Sequence, residues 1–164
     1  TDTSHQTIEA LTETYLAESG APSVSQLAQV ALAYYGASPA GSQREKATAL
    51  HRYVCDALPF VDDPQGMESL TSPAQVAAEI LSGAHQGKPF DCDDKSVLLA
   101  ALARNQGIQA TVAFLDTNSD GQIDHAIPVL FIDGQPTYAE VTIPGSPLGW
   151  QPHTLRREVL ALAR

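Results

Sequence analysis

Basic residues are scarce in this sequence. Nine Lys and Arg stand against nineteen Asp and Glu, for a formal net charge of -10. That balance repels phosphate, so neither nucleic acid nor an anionic membrane surface is expected as a partner. Long apolar runs are missing too. No stretch nears the roughly 20 residues a bilayer span needs, and no membrane-crossing helix is expected. Thr1 to Ser19 has neither a basic n-region nor an apolar h-region, so a signal peptide is not expected there, and without an initial Met the chain reads as processed or trimmed. Cysteine is limited to Cys55 and Cys92, which make no disulfide scaffold, and a bridge between them is not expected. Internal repeats and low-complexity tracts are absent.

What remains is 164 residues, 43% hydrophobic and 17% charged, enough to bury a core in one globular domain. The first half reads helical. Thr7 to Ser19 carries Ile8, Leu11, Tyr15 and Leu16 at helical spacing, with Gly20 as a stop. Ser23 is the expected cap of a second helix whose Leu27, Val30, Ala31 and Tyr34 form one face. Ser42 opens a third, with Ala49, Leu50, Tyr53, Val54 and Leu58 inward, ending before Pro59. After an irregular segment, Ser72 caps a short helix with Pro73 at its first position and Val76, Ile80 and Leu81 on its buried side.

Asp91 caps the next helix, Cys92 to about Asn105, stopped by Gly107. Val97, Leu98, Ala100, Ala101, Leu102 and Ala103 leave it little polar face, so it is expected to be buried nearly all round. The period then changes. Gln109 to Leu115, Asp124 to Ile132 and Pro136 to Ile143 read as strands. Helices first and a strand meander last is an α+β order.

Chemistry concentrates at Cys92. Its place at the first helical position exposes the sulfur to unpaired N–H groups and the positive end of the helix dipole, which favour a thiolate and can face an oxyanion. Asp91, Asp93 and Asp94 oppose that by raising the thiol pKa, so a partner His is required. The plain alternative is a small buried cysteine at a helix end.

The hairpin supplies the His. Asp133-Gly134 is the signal for a two-residue type I′ turn. With those two at the turn, Ile132 faces Gln135, Ile127 faces Glu140 and His125 faces Thr142. His125 and Glu140 then share one face as diagonal neighbours, about 7–8 Å apart at Cα. A carboxylate reaching an imidazole fixes its tautomer and stabilises its charged form.

From about His51 to Trp150 these residues resemble the transglutaminase-like superfamily, within the papain-like fold, and look closest to its small bacterial and phage versions. Tyr53-Val54, Asp63-Pro64 and Glu68 match upstream; Asp91-Cys92-Asp93-Asp94 opens the central helix; Asp124-His125-Ala126 begins a matching strand; Glu140-Val141-Thr142 follows. The resemblance implies helices around a central Cys-bearing helix packed on an antiparallel sheet. It implies Cys92 as nucleophile, His125 as base and Glu140 as orienting acid, where the family more often has Asp. Gln86, six residues before Cys92, stands at the offset of the papain-like oxyanion-hole Gln. The implied activity is acyl transfer on an amide of a protein or peptide, as hydrolysis, deamidation or transamidation. The alternative is a non-catalytic binding or structural module of a phage or bacterial assembly. Location in a cytoplasm or virion is expected.

Domain organisation is expected to be one unit over 1–164, with a helical extension to residue 50, a core over 51–150 and a C-terminal helix over 151–164. No cofactor is required. Asp116, Asn118, Asp120 and Asp124, with Gly121 at the sixth position, read as the start of a calcium loop. Ile127 stands where an EF-hand needs its closing Glu, so the expectation is a calcium-binding turn between strands, or else an acidic solvated one. Zinc on Cys92, His125 and Glu140 is disfavoured for want of a second Cys or His nearby. His5, His51, His85 and His153 lack ligand spacing and read as surface or cap residues.

Overall fold

A computed structural model describes residues 3–58, 72–83, 90–116, 125–151 and 157–161. Among the described residues five α-helices precede a four-stranded antiparallel sheet, the α+β order that the sequence predicts. Helix α1 (Thr3–Leu16) ends in a 3-10 turn (Ala17–Gly20). Helix α2 (Pro22–Tyr34) has Ala21, not Ser23, at its cap, with Pro22 at the first position. Ser23 instead donates its hydroxyl to the Ala74 carbonyl at 2.7 Å, tying α2 to α4 (Pro73–Ser82). The caps of α3 (Gln43–Arg52), α4 and α5 (Cys92–Asn105) are those expected. Ser42, Ser72 and Asp91 accept from the backbone N–H of Glu45, Gln75 and Asp94. A π-helical turn, Tyr53–Ala57, extends α3.

Helix α5 lies at the centre, buried from Lys95 to Ala103, with β1 and β2 against it and α2, α3 and α4 also packed on it. Fully burying a leucine such as Leu98 or Leu102 contributes about 1.5–3 kcal/mol. The buried face of α2 is Val24, Leu27, Ala28, Ala31 and Leu32; Val30 and Tyr34, expected inward, are 44% and 68% exposed. Helical spacing from Leu27 allows either set, and the positions of α4 and α5 select one. Tyr34 packs edge-on against Tyr35 and Tyr53 instead. On α4, Leu81 likewise turns outward while Ile80 packs on the core.

The sheet order is β3-β2-β1-β4, with β1 at Ala110–Asp116, β2 at His125–Ile132, β3 at Gln135–Tyr138 and β4 at Arg157–Ala161. Asp133 and Gly134 both have positive φ, 52° and 83°, as a type I′ turn demands, and Ile132 pairs with Gln135 as predicted. Two expectations fail, each for a physical reason. A C-terminal helix was expected over 151–164, but residues 157–161 pair antiparallel with β1. Local Leu, Ala and Arg content favours helix only weakly, and the open edge of β1 offers a ladder of hydrogen bonds that outweighs it. Strand β3 stops at Tyr138 instead of Ile143, followed by one more backbone bond from Ala139 to Pro128 at 2.9 Å. The N–H groups of Val141 and Thr142 turn to the Glu140 carboxylate instead of to β2. Among the described residues no helix is long and apolar enough to cross a membrane.

Candidate active site

Cys92 takes the first position of α5, half-buried, because Asp91, itself extended, caps the helix. Its sulfur is 3.9 Å from Asp93 Oδ1. Burial pushes the thiol pKa well above its ordinary value, and the charge of Asp93, then those of Asp91 and Glu140, push the same way; a hydrogen bond from the Ala126 backbone opposes them. One turn along α5, Ser96 donates its hydroxyl to the Ala126 carbonyl at 3.2 Å. The start of β2 is thereby docked on the first turn of α5 through one residue, Ala126, and its neighbour His125 is delivered to the same place.

His125 Nε2 is 2.7 Å from Glu140 Oε1. The shared strand face predicts this pairing, but Glu140 reaches it from beyond the end of β3. Its other oxygen, Oε2, accepts from Val141 N–H at 2.9 Å, Thr142 N–H at 3.0 Å and the Thr142 hydroxyl at 2.9 Å. Glu140 is 1% exposed. Burial raises its carboxyl pKa, yet the hydrogen bond and charge of His125 and the donors of Thr142 outweigh that, and the net shift is downward. A buried carboxylate stays ionised here because both of its oxygens are hydrogen-bonded.

Two groups that the sequence did not single out complete the arrangement. His51, expected at the surface, is 2% exposed, and its Nε2 donates to the Glu140 carbonyl at 2.6 Å; the Ser146 hydroxyl donates to the same oxygen at 3.3 Å. Burial lowers the His51 pKa, against the hydrogen bond to Glu140 and the charges of Asp56 and Glu140. The signal was present: His51 lies on the helical stripe of Ala47, Leu50, Val54 and Leu58. Lys95, three residues past Cys92, is also buried, and its Nζ donates to the carbonyls of Leu58 at 3.0 Å and Cys55 at 3.4 Å. Those carbonyls belong to the end of the π-helical turn, where helix geometry leaves acceptors without partners. Burial lowers the Lys95 pKa to about 8.

Both cysteines are free thiols, and Cys55 donates to the Ile143 carbonyl at 3.2 Å. Asp116 closes β1 opposite Arg157. Gln86, Asn118, Asp120 and Asp124 lie outside the described residues, as do Asp63, Pro64 and Glu68. Among the described residues no group of three or more His, Cys, Asp or Glu is arranged to hold a metal.

The model of the transglutaminase-like superfamily matches residues 30–153. Among solved structures, a candidate protease from Parabacteroides distasonis shares the fold, with a TM-score of 0.54 and 16% identity over 85% of this chain and 26% of that one. The chain thus spans about a quarter of that protein's length. No curated protein matches it. With well over half its length matched by the family model, the chain belongs to the transglutaminase-like superfamily.

Proposed function

We propose that this member of the transglutaminase-like superfamily transfers the acyl group of an amide, from a peptide bond or a glutamine side chain, to water or an amine. Cys92 is the nucleophile, His125 the base and Glu140 the orienting acid. The observation that carries this reading is the 2.7 Å contact of His125 with a buried Glu140, hydrogen-bonded through both of its oxygens, beside the helix start that bears Cys92. With Nε2 donating to Glu140, Nδ1 is the nitrogen left to accept the thiol proton.

The sulfur attacks the carbonyl carbon as its proton passes to His125, and the carbonyl electron pair moves onto oxygen. Backbone N–H groups at the start of α5 face that oxyanion, with Gln86 as a further proposed donor. Collapse breaks the C–N bond, and His125 protonates the departing amine. His125 then deprotonates water or a second amine as it attacks the thioester; collapse breaks the C–S bond, the electron pair goes to sulfur and His125 returns the proton to it. Because the thiol is held protonated by burial and its acidic neighbours, proton removal accompanies attack. Calcium at Asp116, Asn118, Asp120 and Asp124 is proposed only as a structural ion before His125; no step passes through it. The partner is a protein or peptide substrate.

A second reading, a non-catalytic module that keeps the fold, is favoured by that same raised thiol pKa. Assay of the wild type and Cys92→Ser with a glutamine-containing peptide and a labelled primary amine separates the two. Release of ammonia, cleavage or amine incorporation lost in Cys92→Ser supports the enzyme. Product formed equally by both overturns the role of Cys92, and none from either favours the module.

A further inference from the structure

Beside His51, α3 and the segment after Thr142 line an open cleft of about 500 Å³. That volume falls among small-molecule sites, about 300–1,000 Å³. Arg44, Thr48 and Arg52 line it from successive turns of α3, with buried His51 between them and Asp56 and Ser146 beyond. Neither Cys92 nor His125 contributes to its lining.

The charge at this cleft runs against that of the molecule. The chain has only nine Lys and Arg and a net charge of -10, yet two of its arginines converge on one concavity. Arg52 is stacked over the Tyr35 ring, 4.6 Å from its centroid, which holds its guanidinium in place. Among the described residues neither Arg44 nor Arg52 forms an ion pair. The one acid in the lining, Asp56, already accepts from Gly145 N–H at 3.1 Å. The Thr48 and Ser146 hydroxyls are likewise engaged, on the carbonyls of Arg44 and Glu140. The available donors are the two guanidiniums, suited to bidentate capture of oxyanions.

Their spacing narrows the ligand. Eight residues along a helix separate the two backbone positions by about 12 Å of rise, a span that an elongated anion with oxyanion groups at both ends fills better than a single orthophosphate. We propose that this cleft is an effector site for a small, elongated polyanion, separate from the path of the acyl substrate. Its occupant rests on His51 and Ser146, the two side chains that hold the Glu140 carbonyl.

Binding is tested without reference to catalysis, on the Cys92→Ala protein, by thermal melting in metal-free buffer with linear tripolyphosphate, orthophosphate or sodium chloride at matched ionic strength. The expected result is a melting temperature that rises with the logarithm of tripolyphosphate, at concentrations at least tenfold below those needed with orthophosphate, and no rise in chloride. Arg44→Gln/Arg52→Gln, both exposed positions, should melt like the parent in chloride and weaken tripolyphosphate binding at least tenfold. No tripolyphosphate effect, an equal effect of chloride, or an effect that survives in the double variant overturns the site. If the double variant melts differently in chloride, the single variants decide by the same tenfold criterion. Absence of acyl transfer in the wild-type protein, with tripolyphosphate binding intact, would count against the catalytic reading alone.

Discussion

His51 holds Glu140 by its main chain while His125 holds it by its side chain. The His51 Nε2–H reaches the Glu140 carbonyl at 2.6 Å across 89 residues of sequence, and His125 Nε2 meets Oε1 at 2.7 Å. Glu140 has left the β3–β2 ladder, so its position rests on these bonds and on its own turn. His51 is in this sense a positioning residue.

Replacement of His51 therefore acts on turnover. His51→Ala should lower kcat about tenfold to a hundredfold with little change in KM, and cost about 1–3 kcal/mol of stability for the abandoned carbonyl. His51→Gln, which can place an N–H near the same oxygen, should recover most of kcat. Steady-state kinetics with a peptide substrate checks this; a KM effect alone would make His51 a substrate contact.

Acid should destabilise the fold in two stages. His51 has a folded pKa below its ordinary 6.5, so below pH 6.5 the unfolded chain binds the extra proton and stability falls with pH until the folded value is passed. Glu140 has a folded pKa below its ordinary 4.5. Its contribution is complete above 4.5 and is lost as pH falls through the lower folded value. Denaturation midpoints measured from pH 7 to 3 should show both stages, and His51→Gln should remove the first.

Glu140→Gln should nearly abolish turnover. Three donors already meet Oε2, so the amide oxygen takes that side and the NH₂ turns to His125. Nε2 must then accept, the proton moves to Nδ1, and the ring can no longer take a proton from Cys92. A fall in kcat on the order of a thousandfold or more is expected, with a much smaller loss of stability. Near-full activity would assign the orientation of His125 to another group.

Alkylation should single out Cys92. It is half-buried, whereas Cys55 is 3% exposed and bonded to a carbonyl. Iodoacetamide should label Cys92 faster, and because its thiol pKa is raised, the thiolate fraction and the rate should still be climbing above pH 8. Peptide mapping across a pH series measures both. A rate that plateaus near neutrality would mean a preformed thiolate.

Lys95 gives the stability curve an alkaline slope. Its folded pKa is about 8 against an ordinary 10.5, so between those values the unfolded chain binds more protons and stability rises with pH. Lys95→Met should lose that rise. The difference in denaturation midpoint between wild type and Lys95→Met at pH 8 and 10 would show it apart from the opposing titration of the raised Cys92, Cys55, Tyr35 and Tyr53.

The caps of α3, α4 and α5, the positive-φ hairpin and the pairing of Ile132 with Gln135 were all legible in the sequence. They depend on side chains and backbone angles within a few residues, and they suffice to place Cys92 at a helix start and to bring Glu140 toward His125, although Glu140 lies past the end of β3. Burial of polar groups was not legible, because it depends on acceptors far along the chain. His51 and Lys95 are buried with their nitrogens on the Glu140, Cys55 and Leu58 carbonyls, acceptors that only the folded chain brings to them. The same holds for residues 157–161, helical by local propensity and a strand by virtue of the open edge of β1. Periodicity and turn chemistry set which residues the site contains; long-range hydrogen bonding decided how Glu140 is held.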